Sequence, residues 1–132
     1  MLKKRATILL IDDDTIIDFL HKKLLLKAGI KEPIITVYNG ETAIEELLKL
    51  NNQLNEKDTV LALLDINMPV LDGWGFLEKF EVLNPSLKFN LELYIVSASN
   101  NPDDIIKSKN YPYVIDYLNK PLSIENINKY LL

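Results

Sequence analysis

Cysteine is absent from the chain, so neither a disulfide framework nor a thiolate metal site is open to it. Long apolar runs are absent too: no segment approaches the roughly 20 residues needed to cross a bilayer. The Met1-Leu2-Lys3-Lys4-Arg5 start has the charge of a signal-peptide end, but Asp12, Asp13 and Asp14 interrupt the apolar run that follows it. Positive charge is not in excess, and the net charge of −4 argues against nucleic acid or an anionic membrane as the main partner. No glycine-rich loop follows the first apolar run, which disfavours a dinucleotide site. Internal repeats, low-complexity segments and linkers are also lacking. What is present is a chain of 132 residues, 48% of them hydrophobic. That suits one domain over residues 1–132 with a core that needs no staples, and a place in the cytoplasm.

Five apolar runs alternate with helical patterns. Ile8-Leu9-Leu10-Ile11 is short, continuous and bounded by charge, the pattern of a strand buried on both faces. Ile16, Ile17, Leu20 and Leu24 follow at helical spacing, with Asp14 as cap and Gly29 as terminator. Pro33 to Val37 reads as a second strand, Asn39-Gly40 as a turn, and Ala43, Ile44, Leu47 and Leu48 as a second helix. That helix fades into the polar stretch Asn51 to Asp58, which reads as a frayed helix end or a loop. Val60 to Leu64 is a third strand ending at Asp65. A loop with Pro69 and Gly73 leads to a third helix containing Phe76, Leu77 and Phe80, which stops near Asn84-Pro85. Leu91 to Val96 is a fourth strand. Asn101 caps a short helix with Pro102 in its first turn. Val114 to Leu118 is a fifth strand, and a last helix starts at Ser123. Such alternation implies right-handed crossovers and a parallel sheet covered on both faces, an α/β fold.

In an open α/β sheet, ligands sit beyond the carboxyl ends of the strands. The first strand delivers Asp12 and Asp13 there, the third Asp65, the fourth Ser97, and Lys120 follows the fifth. With the first strand beside the third, the carboxylates share a small volume and cannot all stay ionised unaided. Oxygen ligands without histidine or cysteine favour a hard cation, magnesium or manganese, over zinc. Asp65 can then act as a nucleophile towards phosphorus, with Lys120 and the Ser97 hydroxyl on the phosphoryl oxygens. Taken singly, each residue has an ordinary explanation as a helix start, a turn residue or surface punctuation. Their order along the chain and their placement at successive strand ends carry the reading.

At these residues the chain resembles the response-regulator receiver domains. Ile8-Leu9-Leu10-Ile11-Asp12-Asp13-Asp14 is similar to their opening, and Asp65-Ile66-Asn67-Met68-Pro69-Val70-Leu71-Asp72-Gly73 to their phosphorylation loop. Ser97-Ala98 matches their Thr/Ser-Ala position, and Tyr117-Leu118-Asn119-Lys120-Pro121 the segment with the switch aromatic and the lysine. The resemblance runs from about Thr7 to the C-terminus. It implies a doubly wound five-stranded parallel sheet of order 2-1-3-4-5 and a cis Lys120-Pro121 bond. It implies Asp65 as phosphoacceptor, and Asp12 and Asp13 as the pair that positions magnesium, with Asp13 favoured as direct ligand. Asn67 would add its backbone carbonyl to the metal. Ser97 and Lys120 would bind phosphoryl oxygens, and Tyr117 would move inward as Ser97 is drawn to the phosphate.

The activity implied is that of a switch that assists its own phosphorylation and dephosphorylation. The donor would be a histidine kinase or a histidine phosphotransfer protein. A downstream protein target would read the face made by the fourth helix, fifth strand and last helix, or the domain would act as a shuttle in a phosphorelay. The alternative is a receiver-shaped interaction module that needs no phosphorylation, which has no use for buried like charges. A haloacid-dehalogenase-type phosphatase would carry a second aspartate where Asn67 stands. His21, beside Lys22 and Lys23, reads as a solvated surface residue near the face that docks the kinase in the family, and charge reversal at the two lysines is expected to slow transfer. Trp74, just past the loop, is expected to report on the pocket.

Overall fold

Backbone order begins with the apolar runs. In the computed structural model, which describes residues 4–68 and 70–132, they form five strands: β1 Thr7–Ile11, β2 Ile34–Val37, β3 Thr59–Leu64, β4 Asn90–Ser97 and β5 Val114–Asn119. Met1, Leu2, Lys3 and Pro69 lie outside the described residues, and with them part of the charged start and the proline of the Asp65–Gly73 loop. The helices are α1 Thr15–Lys27, α2 Gly40–Asn51, α3 Gly73–Leu83, α4 Pro102–Ser108 and α5 Ile124–Asn126, the last continuing as a wider π-type turn over Ile127–Leu131. All strand pairs are parallel, in the order β2-β1-β3-β4-β5, as the resemblance implied.

Alternate residues of the central strands feed two core layers, because successive side chains of a strand point to opposite faces. Leu9, Ile11, Ala62 and Leu64 pack with Ala43 and Leu47 of α2 and Phe76 and Phe80 of α3. Ile8, Leu10, Leu61 and Leu63 pack with Leu25 of α1 and Ile127 and Leu131 at the C-terminus. Each such leucine or isoleucine side chain, fully withdrawn from water, contributes about 2 kcal/mol. The Lys120-Pro121 bond is cis, as expected.

The caps decide where the helices begin and end. Asp14 accepts the N–H groups of Ile16 and Ile17 at 3.1 Å and so starts α1 immediately after β1. Gly29, at φ 101°, closes α1: its N–H goes to the Leu26 carbonyl and that of Ile30 to Leu25. Asn39-Gly40 is not a free turn. Asn39 caps α2 through the Thr42 N–H at 2.9 Å, and Gly40 is the first residue of that helix. The polar stretch after α2 is an ordered loop, with Asp58 Oδ2 accepting the Asn55 N–H and Asn55 Oδ1 that of Lys57, both at 2.9 Å. Arg5, just before β1, is buried; it pairs with Glu92 of β4 at 3.2 Å and donates to the Leu131 carbonyl, bolting the short C-terminal helix to the sheet.

The exposed and buried faces of α1 depart from the expectation. Ile16, Phe19 and Leu20 face outward, whereas the buried positions are Asp18, His21 and Leu25. His21 is therefore not a surface residue: it is 3% exposed, and its Nε2 accepts the Leu122 N–H at 3.0 Å. The cap at Asp14 fixes where the helix starts after β1, and its more apolar stripe faces water. Burial lowers the His21 pKa to about 4, and the Asp12 carboxylate does not offset it. Asp18 lies one turn earlier, buried, with neither carboxylate oxygen hydrogen-bonded. Burial, reinforced by Asp12, raises its pKa to about 7.

These two groups oppose each other in the pH dependence of stability. The value for His21 lies below its ordinary 6.5, so its contribution is complete above pH 6.5 and is lost as pH falls towards about 4. The value for Asp18 lies above its ordinary 3.8, so its contribution is complete below pH 3.8 and is lost as pH rises towards about 7. Relative to the parent, His21→Gln should lose stability as pH rises through this window, and Asp18→Asn should lose it as pH falls. Urea midpoints without added metal would report this, and identical slopes in all three proteins would refute it. Separately, Arg5→Ala should cost about 3 kcal/mol by urea denaturation. Amides of residues 124–131 should lose exchange protection in that variant before those of the central strands do.

Candidate functional site

The acidic pocket lies at the carboxyl ends of β1 and β3. The two strands are in register as Ile11 against Leu64, and the Asp65 N–H continues the ladder to the Ile11 carbonyl at 2.8 Å. The next residues, Asp12 and Asp65, are thereby side by side. Both are buried, while Asp13 is exposed. Each of the three offers a carboxylate oxygen within 4.8 Å of the others. Asp12 Oδ1 also accepts the Asp14 N–H at 2.9 Å, which sets the carboxylate's rotation.

Lys120 enters from the end of β5. Its ammonium lies 2.8 Å from Asp12 Oδ2 and 3.3 Å from Asp65 Oδ2, with the lysine side chain 11% exposed. Burial pulls the lysine's pKa down, but its bonds to Asp12 and Asp65 outweigh that and raise it. Burial raises the Asp65 pKa, and Asp12 adds to the rise. The Asn67 N–H, at 3.2 Å from Asp65 Oδ1, and Lys120 work against it. The site thus gathers hard oxygen donors and one cation with no competing soft ligand, a donor set that fits a magnesium or manganese ion.

The other expected residues are joined to this centre by short links. Ser97, fully buried, ends β4; its carbonyl accepts the Lys120 N–H at 2.9 Å and its Oγ accepts the Ser99 N–H at 3.1 Å. Asn67 is exposed beside Asp65. Tyr117 is half-buried and donates its hydroxyl to the Ser99 carbonyl at 3.0 Å, so the aromatic is tied to the loop that Ser97 opens. Ser99 in turn donates to Asp104 of α4 at 2.6 Å. Trp74 stacks on Tyr111, with ring centroids 6.0 Å apart, under the Lys107 ammonium of α4, so its ring environment includes a side chain of α4.

The loop after Asp65 leaves no room for larger residues at its end. A Cβ on Gly73 would lie 2.5 Å from the Ile66 Cα and 2.7 Å from the Asp65 carbonyl. Val70 adopts φ 67°, a left-handed conformation that costs a β-branched residue roughly 1–2 kcal/mol. Sequence reasoning missed Asp18 and read His21 as a surface residue, whereas both are buried. The signal available for them was the spacing of Asp18, His21 and Leu25, a second helical stripe beside the more apolar one.

Comparison with known proteins bears on the family and the fold. The family model described as the response regulator receiver domain matches residues 8–132. The chain is 30% identical over 122 residues to the response regulator Rcp1 of Synechocystis, an alignment covering 92% of this chain and 81% of that protein. It superimposes on the manganese-bound form of Rcp1 with a TM-score of 0.70 at 28% identity, covering 96% of this chain and 88% of the other. For a two-component response regulator from Cytophaga hutchinsonii the values are 0.78 and 28%, with 96% and 94% covered. For the phosphorylated cyanobacterial phytochrome response regulator RcpA they are 0.74 and 25%, with 97% and 89% covered. No helix among the described residues is long and apolar enough to cross a membrane. The chain belongs to the receiver domains of two-component response regulators, which are phospho-accepting switch domains.

Proposed function

We propose that residues 1–132 act as a single receiver domain that takes a phosphoryl group onto Asp65 in a magnesium-dependent reaction. The donor is the phosphohistidine of a histidine kinase or a histidine phosphotransfer protein, and the setting is the cytoplasm. The observation that carries this reading is the Asp12–Asp13–Asp65 cluster, within 4.8 Å, with the Lys120 ammonium against Asp12 and Asp65. An Asp65 oxygen forms a bond to phosphorus as the donor's P–N bond breaks; the electron pair stays on the imidazole nitrogen, which takes up a proton. Asp12, Asp13, Asp65 and the Asn67 backbone carbonyl would hold magnesium, or manganese in its place, which when bound would supply positive charge for the phosphoryl oxygens. Lys120 holds another of those oxygens by charge and Ser97 a third by hydrogen bond, groups that also assist hydrolysis of the aspartyl phosphate.

The signal then passes by population shift. Drawing Ser97 to the phosphoryl group disturbs the Ser99 loop, to which the Tyr117 hydroxyl and, through Asp104, α4 are bonded. The face of α4, β5 and α5, where Ile106 and Ile115 are exposed, is presented to a downstream protein. Elsewhere on the surface, exposed Ile16 and Phe19 of α1, with Lys23 over the Phe19 ring, suit docking of a donor protein.

With magnesium and acetyl phosphate, intact mass should gain one phosphoryl group, and Asp65→Ala should gain none. Lys120→Met should slow uptake by about a hundredfold, the scale of losing one charge-stabilising group. Beryllofluoride should change Trp74 fluorescence only when magnesium is present. A parent protein that binds magnesium yet acquires neither adduct nor fluorescence change would sink the proposal and favour a phosphorylation-independent interaction module.

A further inference from the structure

The pocket lysine is held from both sides by backbone hydrogen bonds. The Lys120 N–H is bonded to the Ser97 carbonyl at 2.9 Å, the last bond tying this segment to β4. Pro121 has no N–H to give. The next donor along the chain is Leu122, and its N–H runs to His21 Nε2 at 3.0 Å. Lys120 therefore sits between a sheet bond on one side and a bond to α1 on the other. His21 is buried at 3% exposure, so little water competes for the Leu122 N–H. An apolar residue at position 21 would pack against the same core yet leave that buried donor without a partner.

We infer that His21 is a positioning residue for phosphoryl transfer: by accepting the Leu122 N–H, it holds the Lys120 segment so that the ammonium stays between Asp12 and Asp65. The inference rests on the reading of Lys120 as the phosphoryl-binding cation. His21 touches neither the donor nor the phosphoryl group, and it acts through the backbone alone. For Nε2 to accept, the imidazole must be neutral with its proton on Nδ1. A glutamine can place an amide oxygen near the same point and keep the acceptor, whereas a leucine cannot.

The test compares initial rates of Asp65 phosphorylation by acetyl phosphate at saturating magnesium in the parent, His21→Gln, His21→Leu, Leu25→Ala and Lys120→Met. Leu25 is a buried neighbour on α1, so Leu25→Ala loosens the helix without touching the bond. Displacing a positioned group by a fraction of an ångström is expected to cost His21→Leu about tenfold in rate, with His21→Gln within about threefold of the parent. Leu25→Ala should keep the parent rate. If the parent takes up no phosphoryl group, or Lys120→Met matches it, the reading of the site fails before any His21 variant is compared. If Lys120→Met is slow but His21→Leu matches the parent, or Leu25→Ala is as slow as His21→Leu, the positioning role is overturned. Nitrogen-15 NMR of the parent decides the matter even if His21→Leu does not fold. An Nδ1–H tautomer with an exchange-protected Leu122 amide supports the bond, and an Nε2–H tautomer removes it.

Discussion

The burial of Asp12 against Asp65 is the constraint from which the rest of this molecule follows. Two carboxylates less than 5 Å apart repel by on the order of 3 kcal/mol even at an effective dielectric of about 20. Nothing in their side chains brings them together. The parallel register of β1 and β3 does so, because Ile11 and Leu64 are paired and each carboxylate sits one residue beyond. That register is maintained in turn by apolar side chains withdrawn from water on both faces of the sheet. Hydrophobic burial is thus spent on holding like charges at a distance they would not choose. The compensating cation arrives from β5, with β4 lying between it and β3, so the sheet must be complete from β1 to β5 before the charge is balanced.

This dependence explains which parts of the fold are legible in the sequence. Strands buried on both faces leave continuous apolar runs, and Ile8 to Ile11 or Val60 to Leu64 have no competing interpretation of comparable strength. The residues beyond them are legible for the same reason: once the strand ends are located, Asp12, Asp13, Asp65, Ser97 and Lys120 are located at the carboxyl end of the sheet. Strand order is another matter, since parallel strands of similar composition do not announce their neighbours. It entered through resemblance to the receiver family, and the β2-β1-β3-β4-β5 sheet agrees with it.

The helix α1 resisted the same reasoning. Hydrophobicity alone would turn Ile16 and Leu20 inward, yet both are exposed, and the buried stripe runs through Asp18, His21 and Leu25. An amphipathic pattern yields the inward face only when the more apolar stripe is the buried one, and in α1 it is not. The helix starts immediately after β1, where Asp14 caps it and Asp12 accepts the Asp14 N–H. Asn39 was misleading for a related reason. Beside a glycine it has the composition of a turn, but its side chain accepts an N–H from the first turn of α2, and a cap looks like a turn until the helix after it is seen.

The two faces of α1 have different consequences for the pocket. The outward face carries Ile16 and Phe19, apolar groups left in water. The inward face carries His21, bonded to the residue that follows Lys120-Pro121. Both faces belong to one helix of 13 residues, and its rotation decides which of them meets the sheet. Turning the more apolar stripe inward would take His21 away from Leu122, and with it the bond beside the ammonium that balances Asp12 and Asp65. The polar residue buried at position 21 therefore supplies a bonded contact to the segment that carries the pocket cation, and a purely apolar stripe would have supplied packing without that link.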